Sequence, residues 1–153
     1  MINHCTVYRL DTGEIVGYSS FSVTDDPEDI ANNYAVRVRM YGDEGYGYVP
    51  VEANAETHYV TIMEGEPVVA VRPPVPYRID RTTITAGDGE YITITGLHQP
   101  CELVIDNPDP TVATWRVTVD GGGFEFEAET PGLYTIDISR FPFIPARIEI
   151  VAT

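Results

Sequence analysis

Lysine is absent from this 153-residue sequence, and every one of its nine basic residues is an arginine. Against them stand 24 Asp and Glu residues, which leave a formal net charge of -15 that is spread over both halves of the chain. A surface with this charge repels phosphate backbones and anionic headgroups. The composition therefore argues against nucleic-acid binding and against electrostatic binding to a membrane.

Long apolar runs are also missing. The sequence contains no run of about 18 apolar residues, and its opening residues MINHCTVYR hold no basic stretch followed by an apolar one. We therefore expect neither a membrane span nor a secretory leader.

Signals for chemistry are scarce. Cys5 and Cys101 lie far apart without a C-x-x-C pair, so we expect two buried reduced thiols and no zinc site or disulfide. His4, His58 and His98 are isolated, and no serine lies in a G-x-S-x-G motif. The sequence thus predicts no metal, no cofactor and no catalytic residue, and a protein that is not an enzyme.

What the chain has is two-residue alternation of apolar and polar residues, most clearly in CELVID, TWRVTVD, FEFEAE, LYTIDIS and ARIEIVA. Gly- and Pro-rich turn signals separate these runs, so each predicts a strand with one dry face. With an initial strand around Tyr77–Ala86 there are about seven strands, the number of an immunoglobulin-like sandwich. We predict such an antiparallel β-sandwich over residues 77–153, with Trp115 on the inward side of its strand and packed in the core.

The first half is less regular, but it also predicts mostly strands. Two hairpins are indicated, around DTGE and around EGE, and the prolines of VRPPVP favour an extended connector. The segment TDDPEDIANNYA predicts one short helix, in which Asp26 caps the N-terminus and Pro27 takes the first helical position. We expect one or two turns, ending at Asn32-Asn33. The predicted fold is all-β, with a small N-terminal β region over 1–72, a Pro-rich linker over 73–76 and the sandwich beyond.

An aromatic and basic cluster is the candidate binding site. Tyr41, Tyr46 and Tyr48 lie close in sequence to Arg37 and Arg39. Exposed tyrosines and arginines are typical of surfaces that bind a protein or a sugar. The same tyrosines are also typical of the bulky side chains with which a thin β-domain fills its own core, so the pattern leaves both readings open.

Nearly the whole chain resembles a family of small tail-associated structural proteins of tailed bacteriophages. The segments that carry the resemblance are TGEIVG, DDPEDIANNYA, GYGYVPVEANAETHYV and GEPVVAVRPPVP, followed by TPGLYTIDI and FPFIPARIEIVA. The resemblance implies a C-terminal immunoglobulin-like domain and no catalytic residues. It also implies a place in the virion, in contact with other virion proteins such as tail, fibre or connector subunits, and an oligomeric state in the particle.

Three functional hypotheses follow. The first is a virion protein of the tail or tail-fibre attachment region, made in the host cytoplasm, that acts through assembly contacts at exposed strand edges. The second is a module that binds a host glycan or receptor through Tyr41–Tyr48 or the sandwich loops. The third is a capsid decoration protein, which shares the small, acidic, all-β profile.

Overall fold

The first strands form on either side of the DTGE turn signal. In the computed structural model, which describes residues 1–22 and 24–153, strand β1 (Ile2–Arg9) pairs antiparallel with β2 (Ile15–Ser22) and with β3 (Tyr46–Val49). The order in this sheet is β2-β1-β3. The predicted hairpin is therefore confirmed, and β1 is its central strand.

Helix α1 (Pro27–Arg39) begins where the sequence predicts but is longer than expected. Asp26 accepts a hydrogen bond from the Glu28 amide at 2.9 Å, and Pro27 is the first helical residue. The predicted end at Asn32-Asn33 is wrong, since the helix runs for 13 residues. Asparagine is only a modestly poor helix former, and burial of Tyr34 outweighs that cost.

The three-stranded sheet is covered on both faces. Helix α1 packs on one face, where Tyr34 joins a cluster with Cys5, Val7 and Phe21. On the other face the strands β4 (His58–Met63) and β5 (Glu66–Val71) form a second hairpin, whose Val60 packs with Tyr8, Ile15, Val49 and Ala53. Because each face has its own cover, the residues up to Arg72 form one compact unit with two small cores.

Two glycines shape the second hairpin: one forms its turn, and the other allows its close contact with the first turn. Glu64 and Gly65 have φ values of 54° and 88°, which is the backbone of a two-residue type I′ turn. Gly13 has a φ of 78°, and a Cβ there would lie 1.9 Å from the Val60 carbonyl oxygen. The Val60 amide donates to the Gly13 carbonyl at 2.8 Å, so β4 is tied to the first turn. The hairpin predicted around EGE is confirmed.

The second compact unit, Pro73–Thr153, is a sandwich of two sheets. One has the order β10-β9-β12-β13-β7 and the other β11-β8-β6. Its strands are β6 (Arg78–Ile79), β7 (Thr83–Ile84), β8 (Ile92–Thr95), β9 (Cys101–Asp106), β10 (Trp115–Val119), β11 (Gly123–Phe126), β12 (Gly132–Ser139) and β13 (Ala146–Ala152). This distribution of strands between two sheets is immunoglobulin-like.

The initial strand predicted around Tyr77–Ala86 is divided between the two sheets. Strand β6 pairs antiparallel with β8, whereas β7 pairs parallel with β13. Residues at the start of the unit also belong to the sandwich. The Val75 side chain is 4% exposed in its core, and the Pro73 carbonyl accepts from the Ile144 amide at 2.8 Å. The segment predicted as a Pro-rich linker is therefore bonded to the second unit.

Both cysteines are free and buried, as predicted. Cys5 lies in a core of the first unit and Cys101 in the core of the second. Burial raises the pKa of each thiol, because the thiolate loses its solvation. Both side chains therefore act as small apolar residues.

The prediction that Trp115 packs in the core is wrong. The Trp115 side chain is 52% exposed, although its partner across the ladder, Ile105, is buried. The alternation correctly places the indole on the inward face, but β10 is the edge strand of a five-stranded sheet that faces only three strands. The opposite layer ends at β11, where the Phe124 ring meets the indole with centroids 5.6 Å apart.

A tyrosine hydrogen bond holds the turn before β12. The Tyr134 hydroxyl donates to the Thr130 carbonyl at 2.9 Å, four residues upstream, and the ring packs edge-on against Phe126. A tyrosine near the start of the corresponding strand makes the same kind of bond in many immunoglobulin-like domains. This bond fixes the loop against the core.

Tyr134→Phe removes this hydroxyl and keeps the ring. We expect the free energy of unfolding of the second unit to fall by about 1–2 kcal/mol, because the Thr130 carbonyl loses its partner. Denaturant unfolding followed by the fluorescence of Trp115, the single tryptophan, measures this unit directly. Tyr91→Phe is the control, since Tyr91 is 48% exposed and its hydroxyl forms no hydrogen bond with the described residues. Equal losses in the two variants would contradict the assignment.

Candidate functional site

The five predicted site residues come from two neighbouring segments of the first unit. Arg37 and Arg39 lie in the last turn of α1, and Tyr41 follows the helix. Tyr46 and Tyr48 lie on β3, opposite Arg9 and Val7 of β1. Alternate residues of a strand share a face, so both tyrosines lie on the face that α1 covers.

Three of the five side chains line one shallow cleft of about 450 Å³. Arg39, Tyr46 and Tyr48 lie there together with Tyr8, Ala35, Val38, Asp43 and Gly47. The Tyr48 ring stacks on Tyr34 with centroids 4.4 Å apart, so its orientation is fixed. The Arg39 guanidinium forms no hydrogen bond or ion pair with the described residues. The cleft therefore offers flat apolar surface, tyrosine hydroxyls and one uncommitted cation.

The Arg37 side chain packs and forms hydrogen bonds within the first unit. Its guanidinium carbon lies 3.9 Å from the centroid of the Phe21 ring, and its Nη1 donates to the Asn33 carbonyl at 3.0 Å. Nη1 also donates to the Asn33 side-chain oxygen at 3.1 Å. A guanidinium over an aromatic face contributes a cation–π attraction and covers apolar surface. Arg37 thus contributes to the packing of the helix on the sheet.

Tyr41 lies beside β2 and does not line the cleft. Its ring centroid is 6.2 Å from that of Tyr46, and its hydroxyl lies over Gly17. A Cβ at Gly17 would meet this hydroxyl at 1.7 Å, so the glycine makes room for the ring. The structure therefore brings together Arg39, Tyr46 and Tyr48 and places Arg37 and Tyr41 elsewhere.

The buried tyrosines beside the cleft are held protonated. Burial raises the pKa of Tyr34 and of Tyr8, since a phenolate would lose its solvation there. The Tyr34 hydroxyl donates to the His4 carbonyl at 3.1 Å. Both hydroxyls therefore stay protonated at neutral pH, and that of Tyr34 is engaged within the unit.

Strand β2 is a feature that the sequence reading did not single out. It is eight residues long, lies at the edge of its sheet and carries no charged residue. Among the described residues its backbone bonds only to β1. The signal in the sequence is the uncharged run IVGYSSFS in a chain of which 22% is charged.

The hydrogen bonds at the end of β1 show which backbone groups of β2 point outward. The Arg9 amide donates to Glu14 on the β2 side, and the Leu10 amide donates to Gly45 on the β3 side. Odd residues of β1 therefore bond towards β2 and even residues towards β3, as in any antiparallel ladder. Tyr18 and Ser20 lie opposite the even residues Thr6 and His4, so their N–H and C=O groups face away from β1.

A groove of about 530 Å³ runs beside the first half of β2. It is lined by Ile15, Val16, Gly17 and Tyr18 on one side and by Glu52, Ala53, Asn54, Ala55 and His58 on the other. Val16 is the extra residue at the register shift between Val7 and Tyr8, so the groove lies beside the irregular part of β2 and extends to Tyr18.

The described residues show neither a candidate metal centre nor a candidate membrane-spanning helix. No group of three or more His, Cys, Asp or Glu side chains is placed to hold a metal ion there. No helix in the described ranges is both long and apolar enough to span a membrane. His58, which begins β4, shares a 2.8 Å hydrogen bond with the Thr57 hydroxyl, and His98 stacks on Phe143.

Comparison with known proteins does not assign the chain. No family model matches it, and no curated protein does. Two crystal structures of glycosyl hydrolase family 2 members from Bacteroides cellulosilyticus, one from strain DSM 14838, align with TM-scores of 0.34 and 0.33, each at 15% identity. The alignments cover 98% and 97% of this chain but only 21% and 23% of those proteins, so the chain spans less than a quarter of their length. TM-scores this low support no inference about fold or activity.

Arg37 and Arg39 provide a matched pair of substitutions in the same helical turn. Arg37→Ala should lower the free energy of unfolding of the first unit by about 1–2 kcal/mol, because the contact with Phe21 and the bonds to Asn33 are lost. Arg39→Ala should change it by less than about 0.5 kcal/mol. Circular dichroism during denaturant unfolding measures both. Equal effects would show that Arg37 is as uncommitted as Arg39.

Proposed function

We propose that this chain is a structural protein of a bacteriophage particle, of the tail or tail-fibre attachment region, that works through protein–protein contacts. In these contacts the free edge of β2 accepts an extended segment of a neighbouring virion subunit. The observation that carries the proposal is this eight-residue edge strand without a charge. The resemblance to tail-associated structural proteins supplies the virion setting.

Edge strands usually carry features that prevent pairing, such as charges, prolines or very short length. Several other edges of this chain have them. Strands β6 and β7 have two residues each, β5 contains Pro67, and Arg116 of β10 pairs with Glu102 at 3.2 Å. Strand β2 has only the irregularity between Val7 and Tyr8 in its pairing with β1. An edge left open in this way favours strand addition by a partner.

Charge supports a protein partner over nucleic acid. The first unit holds four arginines against twelve carboxylates, and three of the arginines are engaged: Arg9 with Asp11, Arg37 with Phe21 and Arg72 with the Ala55 carbonyl. A phosphate backbone would meet net repulsion. An added strand meets hydrogen-bonding groups that carry no charge.

The glycan- or receptor-binding alternative has one observation in its favour, the cleft of Arg39, Tyr46 and Tyr48. Tyrosine rings offer a flat apolar face and a hydroxyl, a combination that suits sugars and protein side chains alike. In this alternative the strand edge plays no part in binding. The two proposals therefore predict that substitutions at different residues reduce binding.

Ser20→Pro tests strand addition. Proline removes an N–H that points away from β1, so the unit should still fold while incorporation of the chain into phage particles falls by roughly tenfold or more. Mass spectrometry of purified particles measures incorporation, and Ser20→Ala, which keeps the N–H, is the control. A Ser20→Pro chain that is incorporated normally would refute the role of the edge.

The wild-type protein provides the wider test. We expect it in particles in a fixed ratio to the other tail proteins, and light scattering of the purified chain will show whether it forms oligomers on its own. A strictly monomeric chain that is absent from particles would overturn the virion proposal. Detection on heads instead of tails would identify a capsid decoration protein.

The glycan alternative has its own test. Tyr46→Ala with Tyr48→Ala should abolish phage adsorption and binding to a glycan array if the cleft is the receptor site, since the stacking surface is lost. Because Tyr48 stacks on Tyr34, circular dichroism has to confirm that the double variant is folded. Tyr91→Phe is the control. Unchanged adsorption together with an array without hits would exclude the cleft as a glycan site.

A further inference from the structure

The sandwich has an open cleft between its two sheets, beside the edge strands β10 and β11. Inward-facing residues of β10 become more buried along the strand, from Trp115 at 52% exposed to Val119 at 6%. The layers therefore meet at one end of β10 and leave a gap at the other. This gap is a cleft of about 240 Å³.

Aromatic and aliphatic side chains form the floor and one wall of the cleft. The Trp115 indole lines it and is held by Phe124, while Phe126 and Tyr134 pack against each other with ring centroids 5.2 Å apart. Ile105 lies beside them in the core. The hydrogen bond from Tyr134 to Thr130 fixes this floor, so the cleft is formed before any ligand arrives.

Carboxylates mark the rim. Glu127 and Glu129 line the cleft with Asn107, Val112 and Ala113. Both glutamates are exposed, and neither carboxylate has a hydrogen bond or ion pair with the described residues. No arginine lines the cleft, and the second unit holds five arginines against twelve carboxylates. The site therefore combines an exposed indole with negative charge that the unit itself does not neutralise.

We propose that this cleft binds a cationic side chain of a partner protein, arginine before lysine. A planar guanidinium can stack on the indole and direct its N–H groups to Glu127 and Glu129. A lysine ammonium gains the charge attraction but not the planar stacking. The inference concerns the second unit alone and does not rest on the proposed function of the β2 edge.

Size and charge both favour this occupant over a sugar chain. The cleft is smaller than the roughly 300–1,000 Å³ typical of sites for drug-sized ligands, so it accommodates one side chain. A neutral sugar ring gains stacking and hydrogen bonds but no Coulomb attraction. An anionic sugar is repelled by both glutamates.

The single tryptophan makes a direct binding experiment possible. Titration of the full chain with the blocked peptide acetyl-Gly-Arg-Gly-amide should change the fluorescence of Trp115, with a dissociation constant on the order of millimolar. The matched peptide with citrulline, which has nearly the same shape but no charge, should bind at least roughly threefold more weakly. Added salt should weaken only the arginine peptide.

Variants locate the binding site. Glu127→Gln with Glu129→Gln should weaken the arginine peptide by roughly fivefold or more, since both charged acceptors are lost. Glu125→Gln, which also removes a charge from this segment but does not line the cleft, should leave binding unchanged. Circular dichroism melting checks that each variant is folded, and the NMR signal of the single indole N–H provides a second readout.

Three outcomes would overturn the proposal. The first is a fluorescence response to the citrulline peptide, or to glucose, as strong as the response to the arginine peptide. The second is an equal loss of arginine-peptide affinity in the Glu125 variant and in the Glu127/Glu129 variant. The third is no response to any of these ligands. The first would show that the cleft does not select cations. Because none of these experiments involves β2 or phage particles, their result is independent of the tests of the proposed function.

Discussion

The structure depends on one constraint, which is that each apolar sheet face needs a second layer to keep water out. In the first unit a helix covers one face of β2-β1-β3 and a hairpin covers the other. In the second unit a three-stranded sheet has to cover a five-stranded one. Where a covering layer ends before the sheet does, apolar side chains remain open. The cleft between β10 and β11 lies at such a place, whereas the β2 surface is the unpaired backbone edge of a covered sheet.

The features that the sequence predicted are local ones. Alternation placed the strands, the Glu64-Gly65 pair indicated a tight turn, and Asp26 with Pro27 marked the start of the helix. Each of these depends on a few adjacent residues whose backbone preferences act independently of the rest of the fold.

What could not be predicted depends on partners far away in the chain. The helix continues beyond Asn33 because Tyr34 finds a sheet to pack on. Trp115 faces inward as its alternation requires, but whether a layer lies opposite is a property of strand order. The same holds for the aromatic and arginine cluster. Arg37 packs over the Phe21 ring, whereas Arg39 has no hydrogen bond or ion pair with the described residues. Sequence patterns describe which side a residue faces and not what lies there.

The two proposed surfaces recognise a partner in different ways. A strand edge offers backbone groups that any extended chain can pair with, so it contributes affinity with little discrimination. An acidic cleft with an indole wall accepts one kind of side chain and repels anions. The strongly acidic composition adds to this selectivity, because it suppresses contacts with nucleic acid and anionic surfaces everywhere else.

Each of the two units contains one buried thiol, so the labelling of the two thiols reports on the two units separately. A thiol reagent reaches Cys5 only when the helix and the first sheet separate, and it reaches Cys101 only when the sandwich opens. The rate at which each thiol is labelled therefore reports the rate at which its unit opens. The order in which the two sites are labelled therefore shows which unit opens faster in the intact protein, without any substitution.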